Sequence, residues 1–294
     1  MRGIIMKAIA GFYYVNIGKE VIECRARGIF KKRNISPLVG DKVEISIDEA
    51  DPTKGRVEEV FDRTIELIRP PVANVTQAIV VFAVAQPDPN VNLLDKLLAI
   101  CEHRGLKVVL CFNKVDLDQA TYIKELEAIY IKAGYQVIPT SATNHIEIEA
   151  LKAVLKDEIS VFAGPSGVGK SSLLNEIQES INLEVGELSK KISRGKHTTR
   201  HSELLALESG GMVVDTPGFT SMDINEIEME ELSGCFIEFK SYVSNCKFNN
   251  CKHLNEPKCS VKLAVDAGEI SRSRYESYVY FMNALEEHRR YKSW

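Results

Sequence analysis

The chain has 294 residues, 45% of them hydrophobic and 27% charged, with a formal net charge of −4. That balance is ordinary for a globular protein and excludes a low-complexity or disulfide-scaffold chain. The longest apolar run, AIVVFAVA from Ala78 to Ala85, is far short of a membrane span, so no membrane partner is expected. Charge is uneven: residues 1–70 carry 13 Lys+Arg and 11 Asp+Glu, a net of +2. Residues 71–233 carry 14 and 23, a net of −9, and residues 234–294 carry 10 and 7, a net of +3. Basic ends favour a polyanionic partner, although an ordinary solvated surface accounts for charges of this size equally well.

The N-terminal stretch MRGIIMKAIAGFYYV contains an Ala8-Ile9-Ala10 pattern, but Lys7 interrupts its apolar run too early for a signal-peptide core. A cytoplasmic chain is expected, with the sequon Asn74-Val75-Thr76 unused. GFYYVNIG, KEVIECRARGIF, DKVEISIDEA and KGRVEEVF are short β-branched and aromatic runs punctuated by Gly, Pro and Asp. Four or five strands in 70 residues predict a small barrel, and an OB-fold fits the length. The basic loop from Arg27 to Pro37 joins two of these strands, as a nucleic-acid contact or simply a solvated hairpin. IRPPVAN, residues 68–74, reads as a linker because two prolines oppose regular structure.

From residue 75 to about 221 the pattern alternates between strand and helix. TQAIVVFAVA, LKVVLCFNKVD, QVIPTSA, ISVFAGPSG and GGMVVDTPGF read as strands with their loops. NLLDKLLAICEHRG, TYIKELEAIYIKAGY and KSSLLNEIQ read as helices. This predicts a mainly parallel sheet covered on both faces, with ligands at the carboxyl ends of its strands. The chain beyond 222 is polar, then cysteine-rich, then helical. The aromatics of EISRSRYESYVYFMNALEEHRRY recur at helical spacing and are expected to pack. The expected domains are therefore 1–70, 71–221 and 222–294.

Gly164-Pro165-Ser166-Gly167-Val168-Gly169-Lys170-Ser171, followed by Ser172, fits the phosphate-loop pattern between a strand and a helix. Its glycines let backbone N–H groups surround phosphates, Lys170 reaches the terminal phosphates, and Ser171 holds magnesium. The helix that follows aims its positive end at the same place. Asp215-Thr216-Pro217-Gly218 follows an apolar strand. There Asp215 can serve the magnesium shell and the Gly218 N–H can sense a terminal phosphate. Asn113-Lys114-Val115-Asp116 follows the strand VVLCF. The Asp116 carboxylate can accept from guanine's ring N–H and exocyclic amine, donors that adenine lacks in that arrangement. Asn113 can tie the base site to the phosphate loop, the Lys114 stem can cover the ring, and Ser141-Ala142 can offer a backbone donor.

Cys246, Cys251, His253 and Cys259 are spaced C-x4-C-x-H-x5-C. Three thiolates and an imidazole suit one structural, tetrahedral zinc. Buried, unlinked cysteines are the alternative, and disulfides do not suit a cytoplasmic chain. Of the other cysteines, Cys24, Cys101 and Cys111 read as core, while Cys235 reads as a spare thiol.

These parts resemble the translation-factor class of GTPases in circularly permuted order, with the base motifs ahead of the phosphate loop. Together with the barrel and the cysteine cluster, the whole chain resembles the RsgA (YjeQ/YloQ) family of small-subunit-dependent GTPases. The resemblance implies a multidomain α/β protein. Its parts are an N-terminal OB-fold, a circularly permuted P-loop GTPase domain and a C-terminal zinc-binding domain. It also implies GTP and GDP as ligands, magnesium with the nucleotide, docking on small-subunit rRNA, and a role in late maturation of the small ribosomal subunit. A monomer is expected. In this order the Asp215 motif ends the GTPase domain and leads into the C-terminal segment, so switch movement can act on that segment.

One position departs from typical small GTPases, which place a water-orienting Gln after the last glycine of this motif. Here it is Phe219, so slow intrinsic hydrolysis is expected. SRGKHTTRH, residues 193–201, lies where the first switch belongs. Thr199, with Thr198 as the alternative, is expected to cap magnesium. His197 is the candidate for positioning water, with an RNA-facing or merely exposed histidine as the rival reading. A GTP-regulated RNA-binding protein with negligible catalysis is the alternative function.

Overall fold

The computed structural model describes residues 1–18, 20–28, 30, 35–68, 71–117, 122–178, 202–215 and 223–292. At the N-terminus, β1 (Arg2–Ile9), β2 (Phe12–Asn16), β3 (Val21–Ala26), β4 (Lys42–Ile47) and β5 (Lys54–Val60) close into a ring. β1 pairs with β2, β2 with β3, β3 with β5 in parallel, β5 with β4, and β4 back with β1. Closure leaves the ring without a free edge, and alternate side chains fill its interior. Ile5, Val15, Ile22, Cys24, Val43, Ile45 and Val57 are each at most 2% exposed. This is the expected OB-type barrel, with β1 as a strand that sequence patterning does not single out.

The segment expected to be a linker is not one. β6 (Glu66–Ile68) pairs antiparallel with β7 (Pro71–Ala73), Ile68 facing Pro71. Pro71 opens its strand, a position where the missing N–H costs least. Val72 is fully buried, and the Ala73 N–H donates to the Val39 carbonyl at 2.8 Å.

The chain divides into two compact units that do not follow chain order. The first joins Met1–Gln77 to Glu149–Phe162 and Ile177–Phe219. In it β11 (Ile159–Ala163) runs parallel to β13 (Met212–Asp215), and β12 (Glu203–Ala206) runs antiparallel to β13. β12 also pairs with barrel strand β1 at Lys7 and Glu203, whose side chains form a 2.6 Å ion pair. β12 is antiparallel because the turn into β13 is too short for a crossover. Gly211 in that turn has φ 87, and a Cβ there would meet the Leu155 carbonyl at 2.1 Å.

The second unit comprises Ala78–Ile148, Ala163–Glu176 and Thr220–Trp294. Its strands lie in the order β10 (Gln136–Pro139), β9 (Lys107–Asn113), β8 (Gln77–Ala83), with β9 and β10 parallel. β8 is buried throughout and β9 from its second residue onward, as their apolar runs require. α1 (Val91–His103) is capped by the Asn90 side chain and followed by Gly105 at φ 69. α2 (Tyr122–Ala133) precedes β10 and α4 (Lys170–Ile177) follows β11, while α3 (Ile148–Leu155), which precedes β11, falls almost wholly in the first unit. The C-terminal part contains α5 (Lys240–Val243), α6 (Ser260–Asp266) and α7 (Arg272–Lys292). Along α7, Arg274, Tyr278, Phe281, Met282 and Leu285 form a buried stripe at helical spacing. Tyr278 and Phe281 pack around Phe236 with centroids 5.3 and 6.5 Å away, so these aromatics pack as expected. Tyr280 and Tyr291 on the same helix are exposed. Among the described residues, no helix is long and apolar enough to cross a membrane.

Candidate nucleotide site and metal centre

β11 delivers the chain into the glycine loop and α4 receives it. Gly164, Gly167 and Gly169 take φ values of 138, 83 and 95. A Cβ on Gly164 would come within 2.0 Å of the Val81 carbonyl, and one on Gly169 within 2.2 Å of Asn113 Nδ2. The backbone therefore passes where only glycine fits. Pro165 is half-buried, Ser166 and Gly167 face solvent, and Val168 is buried beneath them. Lys170 folds back over the loop, its Nζ donating to the Gly164 and Pro165 carbonyls at 2.8 and 2.7 Å. Burial without a carboxylate partner pushes its ammonium down to about 8. Ser171 is buried and Ser172 half-buried in the first turn of α4.

The base motif sits at the end of β9. Asn113 is 1% exposed, and its Nδ2 donates to the Val168 carbonyl at 2.8 Å. Its Oδ1 accepts from the Thr140 hydroxyl at 3.2 Å and from the Ala142 N–H at 3.3 Å. These two donors fix which way the amide points, so the tie to the phosphate loop is set. Lys114 has φ 64, and its ammonium donates to the Gln86 carbonyl. Val115, Asp116 and Leu117 form a single 3-10 turn that leaves Asp116 exposed. Ser141 Oγ donates to Asp116 Oδ1 at 2.5 Å, which orients the carboxylate and leaves acceptor capacity on both oxygens for a ligand. Thr140 is the member that motif reading missed; its signal is a hydroxyl immediately before Ser141-Ala142 at a strand end.

Asp215 is the last residue of β13. Its side chain lies outside the described residues, as do Thr216, Pro217, Gly218 and Phe219. The switch candidates His197, Thr198 and Thr199 also lie outside the described residues.

The four predicted metal ligands converge. One donor atom from each of Cys246, Cys251, His253 and Cys259 lies within 4.8 Å of all the others. His253 Nδ1 faces two sulfurs, 3.6 Å from Cys246 and 3.3 Å from Cys259. The ring is buried against Phe239, and its backbone carbonyl accepts from the Tyr275 hydroxyl at 2.7 Å. Burial pushes the Cys251 thiol up to about 12 and holds the His253 imidazole neutral. A cation among them would reverse the thiol shift by favouring thiolates. The donor set thus fits a tetrahedral cation, and four protein ligands leave no open position for water. Cys24, Cys101, Cys111 and Cys235 are all buried and form no disulfide. Cys235 is a free thiol that packs in the core at 3% exposure, and burial pushes it up to about 12.

Comparison with known proteins places these features together. A family model described as RsgA GTPase matches residues 60–225, and one described as RsgA N-terminal domain matches residues 2–54. A small ribosomal subunit biogenesis GTPase RsgA of Alkaliphilus metalliredigens is 52% identical over 290 residues, 99% of either chain. Its counterpart in Caldanaerobacter subterraneus subsp. tengcongensis is 50% identical, over 100% of this chain and 99% of that one. Among solved structures, YjeQ from Thermotoga maritima aligns with TM-score 0.86 and 41% identity, covering 97% of this chain and 98% of that one. YloQ, described as a circularly permuted GTPase, aligns with TM-score 0.83 and 39% identity, covering 98% and 95%.

Proposed function

The chain belongs to the RsgA family of GTPases and hydrolyses GTP; from that premise we propose that it acts in late maturation of the small ribosomal subunit, on which it docks. The hydrogen bond from Asn113 to the Val168 carbonyl carries the assignment of the nucleotide site. It joins the guanine motif to the phosphate loop although the two lie in reversed chain order.

In this reading Asp116 selects guanine, with Asn113, Lys114, Val115, Ser141 and Ala142 shaping the base pocket. Gly164 to Ser172 cradle the phosphates. Lys170 leaves its carbonyls for the terminal phosphates, Ser171 and Thr199 hold magnesium with Asp215 in its shell, and the Gly218 N–H senses the terminal phosphate. His197 positions water in place of the absent glutamine, arranged for that role by subunit binding. Hydrolysis is then stimulated by the subunit and drives release. Cys246, Cys251, His253 and Cys259 hold one structural zinc. Segments 1–70 and 222–294 dock on rRNA, and the switch around Asp215 acts on the segment that follows it. The protein works as a cytoplasmic monomer.

GTP turnover measured alone, with small subunits, with large subunits and with ATP as competitor tests this reading. Stimulation by small subunits alone, insensitive to ATP, is expected. A rate unmoved by small subunits would sink the partner assignment, and His197→Ala with undiminished stimulated turnover would sink the catalytic role of His197.

A further inference from the structure

We propose that Arg274 is a positioning residue for guanine recognition, linking the cysteine–histidine centre to the strand that ends in Asn113-Lys114-Val115-Asp116. The proposal rests on the reading of those two sites given above. Arg274 lies in the first turn of α7, is 1% exposed, and heads the fully buried side chains by size. Its Nε and one terminal nitrogen donate to the two Glu238 oxygens at 2.7 and 3.1 Å. The other terminal nitrogen donates to Asp95 on α1 at 2.7 Å. The guanidinium also lies 4.7 Å from the centre of the Phe236 ring. Burial alone would push Arg274 down, but the Asp95 and Glu238 carboxylates outweigh it and keep the guanidinium charged.

Two contact routes leave this cluster. In one direction, Asp95 accepts from the Tyr130 hydroxyl of α2 at 2.9 Å. The Tyr130 ring packs on Phe112 with centroids 5.9 Å apart, and Phe112 immediately precedes Asn113. In the other direction, Tyr275, next to Arg274, donates to the carbonyl of His253 itself, and Tyr278 donates to that of Lys252 at 2.8 Å. A helix turn that holds the metal loop by its backbone thus also holds, through one guanidinium, the helices packed behind the guanine strand.

Why charge should be used here is the physical point. Well-packed apolar residues stabilise such a position as well as a buried ion cluster does, and often better. A buried cluster differs in penalising any arrangement that leaves one member unpaired. It therefore admits one relative placement of α1, α2 and α7. A metal that orders the loop under α7 favours that placement, and the guanine strand is read from it. By reciprocity, a guanine nucleotide favours metal retention by the same factor.

The test uses full-length protein and two diphosphates. Inosine diphosphate lacks the exocyclic amine, so it forfeits one of the two donors that Asp116 accepts. Dissociation constants for GDP and IDP are measured for zinc-loaded and zinc-stripped wild type, Arg274→Met and Tyr130→Phe. Zinc affinity is measured against a competing chelator with and without GDP. Tyr130→Phe removes a single hydroxyl and keeps the ring, so it serves if Arg274→Met does not fold. In wild type, zinc is expected to tighten GDP binding on the order of tenfold, and GDP to tighten zinc by the same factor. In the variants that factor falls toward one and the preference for GDP over IDP narrows. A purely structural role would weaken both diphosphates equally and leave their ratio unchanged. Wild-type GDP affinity indifferent to zinc would overturn the proposal, as would variants that retain both the coupling factor and the base preference. A wild type that holds no zinc, or does not prefer GDP to IDP, would instead defeat the underlying site readings and the proposal with them.

Discussion

The nucleotide loop and the metal centre belong to one compact unit, yet they keep their shape by opposite means. The nucleotide loop is already held by the chain's own hydrogen bonds. Lys170 rests on two loop carbonyls, Asn113 braces Val168, and Thr140 orients Asn113. The metal centre draws three thiols and an imidazole together with no protein cation among its four ligands, and burial keeps its Cys251 thiol protonated. The first is a template set by the protein's own bonds. The second is a set of ligands whose geometry needs the ion. Losing the ligand should therefore leave the first site intact and dismantle the second.

The largest effect expected from this contrast is on the metal side. Structural zinc contributes about 10–16 kcal/mol of apparent binding energy in small peptides, energy that is also folding energy. Chelation, or Cys251→Ser, should abolish hydrogen-exchange protection around residues 246–259 while the glycine loop keeps its own. Protection lost equally at both sites would erase the distinction. Next in size is Asp116→Asn. Trading a carboxylate for an amide loses charge-assisted bonds to guanine worth about 3 kcal/mol, roughly 100-fold in GTP affinity. Xanthosine triphosphate, which presents a carbonyl where guanine has its amine, should gain, and competition binding measures both.

Gly169→Ala is expected to be milder but to act on the template itself. A Cβ there meets Asn113 Nδ2 at 2.2 Å, at a φ of 95. Strain of about 1–3 kcal/mol should weaken GDP binding, while zinc content measured by metal analysis stays at one per chain. A comparable effect comes from pH. Lys170 stands at about 8 while only carbonyls hold it. Phosphate oxygens favour the ammonium, so the bound value is higher, and between the two values binding takes up a proton. Affinity should be flat below about pH 8 and fall above it, by at most about tenfold per unit. Calorimetry in buffers of different ionisation enthalpy reads the proton directly. The smallest effect is that of Thr140→Val, which removes one bond to Asn113 worth about 1 kcal/mol. It should weaken GDP binding a few-fold without touching zinc.

What could be read from sequence was the chemistry that needs fixed residue types at fixed spacing. The glycine loop, the base motif and the Cys246–Cys259 pattern are of that kind, because each is a short contiguous segment whose own residues meet one part of a ligand. The alternating barrel strands were legible for the same local reason. What escaped depends on partners far along the chain. β1 is completed by β4 and β12 beyond its neighbour β2, and the short strand at Pro71–Ala73 is held by Val39. Arg274 looked like one more charge at the start of a helix, because Asp95 lies 179 residues away. Thr140 escaped because its role is to orient a neighbour rather than to touch a ligand.

The pairing of β1 with β12 carries a consequence for trimming the protein. β12 has β13 on one side and the barrel strand on the other. Excising the barrel would strip that side bare and leave unpaired backbone donors and acceptors along it. Exposed edges of this kind recruit other chains. The N-terminal barrel thus also acts as a stopper on an otherwise sticky sheet, and a shortened GTPase without it would tend to find its missing neighbour in another copy of itself.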